Sequence, residues 1–159
     1  MRLRLPACLL FLLTSASPAL ADATAFIGSA TSPVNRQTKG IAVGMSLLVL
    51  GFEFEYATIA EDPVEAAPAL RTGMANVFVQ TPLAVAGIRP YATTGLGFYR
   101  EQMGDADPAT NLGFNTGAGV KVSLVGPLRA RFDYRVFKLR GEPAHSVVHR
   151  FYIGANLAF

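Results

Sequence analysis

The stretch at residues 149–159, H-R-F-Y-I-G-A-N-L-A-F, decides how the rest of the chain is read. Counting back from Phe159 in twos gives Leu157, Ala155, Ile153 and Phe151, all apolar; the positions between are Ala158, Asn156, Gly154, Tyr152 and Arg150. Successive side chains of a strand point to opposite faces, so one face here is greasy and the other small or polar. One such strand buries nothing on its own. The same code is therefore expected upstream.

It recurs. A first segment near residues 23–30 leads into a polar loop at 31–38. The second, near 39–48, sets Ile41, Val43, Met45 and Leu47 against Gly40, Ala42, Gly44 and Ser46. The third, near 51–60, sets Phe52, Phe54, Tyr56 and Thr58 against Glu53 and Glu55. The fourth, near 71–80, is apolar in both phases, and Ala75, Val77 and Val79 are assigned outward over Met74 and Phe78. In the fifth, near 90–101, Ala92, Thr94, Leu96 and Phe98 oppose Tyr91, Thr93, Gly95, Gly97 and Tyr99; Pro90 lacks an N–H, so full pairing is expected only beyond it. The sixth, near 111–124, puts Leu112, Phe114, Ala118, Val120, Val122 and Leu124 opposite Gly113, Asn115, Gly117, Gly119 and Lys121. The seventh, near 128–139, alternates Leu128, Ala130, Phe132, Tyr134 and Val136 with Arg129, Arg131, Asp133 and Arg135.

With the closing strand the count is eight, and short turns near 49, 84 and 126 alternate with longer polar loops near 35, 65, 106 and 144. Segments of roughly 10 residues with alternating hydropathy, joined by alternately short and long connections, predict an all-β fold: an eight-stranded antiparallel up-and-down transmembrane β-barrel.

The first residues read as an address. Arg2 and Arg4 precede the apolar run at 9–13, and Ala19-Leu20-Ala21 is a small-x-small cleavage site. Residues 1–21 are read as a signal peptide cleaved on export, and 22–159 as the barrel domain. The run is far short of the roughly 20 residues that a membrane helix needs. The only cysteine, Cys8, lies in this leader; a lipoprotein site there is disfavoured because Cys8 precedes most of the apolar run. Losing Arg2 and Arg4 leaves 12 Lys+Arg against 11 Asp+Glu, which gives no case for nucleic acid.

Which face is inside must be argued, because a soluble barrel alternates too, with its bulky apolar set inward. In that alternative Phe52, Phe54, Phe132 and Tyr134 line a cavity for an apolar ligand. But the polar set here contains Gly95, Gly97, Gly113, Gly117 and Gly119. Glycines are a poor solvent face and a good lumen face, since an eight-stranded barrel is narrow and they leave room for arginine and tyrosine. Strands three and seven are opposite in an eight-stranded meander, so Glu53 and Glu55 are expected to reach Arg129, Arg131 and Arg135 across the lumen, with Asp133 completing the network. Unpaired buried charges cost several kcal/mol each, which makes pairing close to obligatory. A plugged lumen follows, and a general diffusion porin is disfavoured; a small gated channel is the alternative.

The closing strand, with Phe151, Ile153, Ala155, Leu157 and Phe159 on one face, is similar to those of bacterial outer-membrane barrels, and implies a signal read by the barrel assembly machinery. Pro90-Tyr91, Gly95-x-Gly97, Gly117-x-Gly119 and Arg129-x-Arg131-x-Asp133-Tyr134-Arg135 resemble the opacity-type small outer-membrane barrels, related in fold to the OmpA transmembrane domain. The resemblance covers roughly the last 70 residues by motif and the first half by pattern. It implies the bacterial outer membrane and a role as adhesin or structural protein. The chain has no Trp for an interfacial girdle, leaving Tyr and Phe, and no periplasmic domain is expected after Phe159.

Catalysis is disfavoured. Some outer-membrane barrels hydrolyse lipid A with Ser, His and an acid, and the candidates are Glu142, His145, Ser146 and His149. A nucleophile must reach its base, whereas adjacent His145 and Ser146 point apart if extended. Acids at Glu61, Asp62 and Glu65, or at Asp105 and Asp107, suit a hard cation, but solvated loop tips are the preferred reading. The expectation is a monomeric, non-enzymatic barrel with no cofactor, metal or nucleic acid, meeting outer-membrane lipid and lipopolysaccharide, with its loops as the contact surface.

Overall fold

The computed structural model describes residues 20–105 and 107–159; the expected leader, apart from its last two positions, and Cys8 lie outside the described residues. The strands are β1 (Leu20–Ala30), β2 (Arg36–Leu47), β3 (Leu50–Ile59), β4 (Ala69–Gln80), β5 (Ile88–Gln102), β6 (Ala109–Val125), β7 (Leu128–Leu139) and β8 (Val147–Ala158). Each pairs antiparallel with the next, and β8 returns to β1 to close the barrel. The fold class is the one that the alternation predicts.

The phase decides which face is which. Ile41, Val43, Phe52, Phe54, Leu96, Phe98, Phe132 and Ile153 all point out, Phe54 with 67% of its surface exposed. Glu53, Glu55, Arg131, Asp133, Arg135 and Arg150 point in and are buried. An apolar exterior around a polar interior is the arrangement of a barrel solvated by lipid. It removes the soluble alternative, because Phe52, Phe54, Phe132 and Tyr134 line the outside rather than a cavity.

The ambiguous fourth strand has Val77 and Val79 outside with Met74 and Phe78 buried, as assigned. At Pro90, β5 pairs with β6 from Ile88 but with β4 only from Tyr91, opposite Gln80. The missing N–H thus falls where β5 has a neighbour on one side.

Several strands run further than hydropathy suggests. β2 begins at Arg36, three residues before the expected start, and β6 begins at Ala109. The outward residues there are polar, Gln37 and Lys39 on β2 and Thr110 on β6. Backbone pairing does not need an apolar side chain, so the ladder outlasts the code. β1 starts at Leu20, and Leu20 and Ala21 pair with Ser46 and Met45.

Inward glycines make the space that the lumen needs. A Cβ at Gly117 would come within 2.8 Å of Arg135 Cγ, and one at Gly119 within 2.5 Å of Tyr91 Oη. At the loop end the interior becomes apolar: Ala30, Ile59, Leu70, Met74, Tyr99, Phe137, Leu139 and Val148 form one buried cluster.

Candidate functional site

The lumen holds the densest chemistry among the described residues. β3 and β7 lie four strands apart in the ring of eight, so their inward side chains meet across it. Glu53 on β3 ion-pairs with Arg131 and, at 2.8 Å, with Arg135 of β7. Glu55, one inward position further along, takes Arg135 Nη1 at 3.1 Å and pairs with Arg150 of β8. Asp133 sits between the two β7 arginines, 3.0 Å from Arg131 Nη2 and 2.9 Å from Arg135 Nε.

Two phenols stitch this cluster. Tyr91 Oη donates to Asp133 and accepts from Arg131 Nε at 2.7 Å. Tyr152 Oη donates to Asp133 Oδ2 at 2.9 Å. Asn76 reaches Glu53, and Asn115 donates to Asn76 at 2.8 Å. Three carboxylates thus face three guanidinium groups, all at most 4% exposed. Equal opposite charge with multiple hydrogen bonds is the condition under which buried ions are tolerated.

Arg129 stands apart from the network in which it was expected. It is half-buried at the turn end of β7, paired in register with Asn156 and Ser123, and no ion pair among the described residues includes it. Period two places it on the inward face but says nothing of depth. Arg131 and Arg135 lie deeper in the barrel, level with the glutamates.

Sequence reasoning missed Arg150, which takes the third cationic position and lies 4.4 Å over the Phe137 ring. Its signal was the inward phase of the closing strand. Also missed was the pair at the turn end, Lys121 Nζ to Asp22 Oδ2 at 2.5 Å. Asp22 lies at the leader boundary, where alternation is hard to read.

Above the ions sits the apolar cluster, with Phe137 touching both regions. Arg36 then ties the loops over it, donating to Pro68 O at 2.5 Å, Ser32 O at 3.1 Å and Ala60 O at 3.3 Å. Charge network, apolar plug and loop latch lie in series along the lumen.

The hydrolase candidates do not assemble. His149 Nδ1 is 2.7 Å from Tyr134 Oη on the outer face, and Ser146 is exposed with its carbonyl accepting from Leu139 N. No hydrogen bond among the described residues joins that serine to a histidine. The loop acids are partly engaged with backbone: Asp62 caps Val64 N and Glu65 N, and Glu61 accepts from Gly104 N. Phe151, Ile153, Ala155, Leu157 and Phe159 are all exposed on the outer face.

No protein-family model matches the chain, and no curated protein does. Solved structures do. Neisserial surface protein A aligns with a TM-score of 0.72 at 18% identity, over 90% of this chain and 98% of that one. The N-terminal β-barrel domain of Pseudomonas aeruginosa OprF aligns at 0.68 and 16% identity, over 89% of this chain and 100% of that domain. The attachment invasion locus protein Ail of Yersinia pestis, solved with the heparin analogue sucrose octasulfate, aligns at 0.58 and 12% identity, over 90% and 100%. At these identities the likeness is one of fold, and that fold is the small eight-stranded outer-membrane barrel.

Proposed function

We propose that this chain is a small, monomeric, non-enzymatic barrel of the bacterial outer membrane, with a structural or surface-interaction role carried by its loops. The observation that supports this best is the filled lumen: a balanced Glu/Asp/Arg network followed by an apolar plug occupies the space that a transport path would need. What remains for a partner is the loop surface. In this reading residues 1–21 are a leader cleaved on export, and the outward row ending at Phe159 is read by the barrel assembly machinery.

The motifs from Pro90 to Arg135 and the eight-stranded fold support a relationship to the opacity-type, OmpA-like barrels, whose members act as adhesins or structural proteins. The apolar exterior meets outer-membrane lipid, and the loop side meets lipopolysaccharide.

Fractionation of cells expressing the full chain, followed by gel migration with and without boiling, tests the reading. Outer-membrane recovery with a heat-dependent mobility shift is expected. A soluble periplasmic product without a shift overturns it.

A further inference from the structure

On the loop side of the outer face, register sets five residues in one cross-strand row: Lys39 on β2, Thr58 on β3, Arg71 on β4, Arg100 on β5 and Thr110 on β6. Lys39, Arg71 and Arg100 are exposed, and no ion pair among the described residues uses them. Arg71 and Arg100 are direct partners, and like charges facing each other across a strand pair repel. The lumen neutralises its arginines with carboxylates; this pair has none.

Directly beneath lies the row Ile41, Tyr56, Gly73, Phe98 and Leu112. Gly73 is unlike the other strand glycines. At each of those an added Cβ would come within 3.2 Å of a neighbouring atom, whereas at Gly73 it would meet nothing within 4 Å. Glycine weakens a strand, and packing supplies no reason for this one. Its effect is a cleft of about 310 Å³ bounded by Tyr56, Phe98, Arg71 and Arg100. That cleft continues into an apolar groove of about 440 Å³ over Gly73 and Ala75, walled by Phe54 and Leu96.

We propose that Arg71 and Arg100 bind the phosphate of a lipid in the outer leaflet, with one of its acyl chains lying in the groove over Gly73 and Ala75. The two planar guanidinium forks match a phosphate bidentately and turn their mutual repulsion into shared attraction. The cleft joins a cationic mouth to an apolar floor, so an amphiphile fits and a free anion leaves half of it empty. The inference rests on the reading above that the loop side faces the outer leaflet.

Native mass spectrometry of the refolded barrel in uncharged detergent tests it, with dioleoyl phosphatidate, dioleoylglycerol and inorganic phosphate as probes. One phosphatidate per barrel is expected, held roughly tenfold or more tighter than either of the others. R71Q/R100Q and Gly73→Val should each weaken phosphatidate by roughly tenfold. Gly73→Val should keep the heat-dependent gel shift, since its Cβ meets nothing within 4 Å and valine suits a strand. Equal retention of dioleoylglycerol or of inorganic phosphate, or phosphatidate binding indifferent to both variants, overturns the proposal. A barrel recovered outside the membrane fraction overturns the outer-membrane reading instead, so the two failures are distinguishable.

Discussion

Glu53 holds two guanidinium groups at once, Arg131 and Arg135, with 2% of its surface exposed. Removing it leaves three buried arginines facing two carboxylates. Breaking a buried pair from one side costs about 3–5 kcal/mol, so Glu53→Ala should lower the stability of the refolded barrel by that amount in denaturant titrations. Arg129→Ala touches no ion pair among the described residues and should change it by less than about 0.5 kcal/mol. The contrast between these two marks how far the site was legible. Alternation names the inward residues, and opposite charge on opposite strands names the partners, which is enough to bring Glu53, Glu55, Arg131, Asp133 and Arg135 together. Depth along the lumen is set by strand stagger, which no single strand encodes. Alternation alone therefore includes Arg129 in the network and gives no partner for Arg150 or for the Asp22–Lys121 pair.

At the scale of elements, the strands were legible wherever lipid meets them, because lipid demands an apolar side chain at every second position. Their ends were not, since beyond the apolar belt the outward residues of β2 and β6 turn polar while the ladder continues. Turns carry their own constraint. Gly126 joins β6 to β7 with φ of 54°, and Gly126→Ala should cost about 1–2 kcal/mol because a Cβ is disfavoured in the left-handed region. Denaturant titration of the refolded hairpin variant reads this directly. The closing strand separates stability from recognition. Phe159 ends the outward row with its side chain 71% exposed, and its backbone partner Ala21 is the last residue of the expected leader. Phe159→Ser removes only this detergent-facing side chain and should lower the stability of barrel refolded in detergent by no more than about 2 kcal/mol. Its recovery in the outer membrane of cells should nevertheless fall several-fold if the assembly machinery reads this side chain. Equal recovery of variant and wild type would remove that role from Phe159.

Across the whole molecule, the question is whether one barrier or two closes the lumen. The ionic layer fills the middle of the barrel, and the apolar cluster around Met74, Tyr99 and Phe137 closes the loop end above it. A gated channel built on the ions alone would open when the network is broken, so Glu53→Ala would produce new current in a planar bilayer. Two barriers in series predict otherwise. Glu53→Ala leaves Phe137, Leu139 and Val148 packed and the Arg36 latch tied to Pro68, and an apolar constriction stays dry whatever charge lies below it. Phe137→Ala thins the plug but leaves the charges paired. Neither single variant should conduct. The double variant Glu53→Ala/Phe137→Ala loosens both layers and is the one expected to pass current, in recordings at low salt where ions are least screened. Current from Glu53→Ala alone would mean that the plug is no barrier, and the closed-lumen reading would give way to a gated path through the arginines.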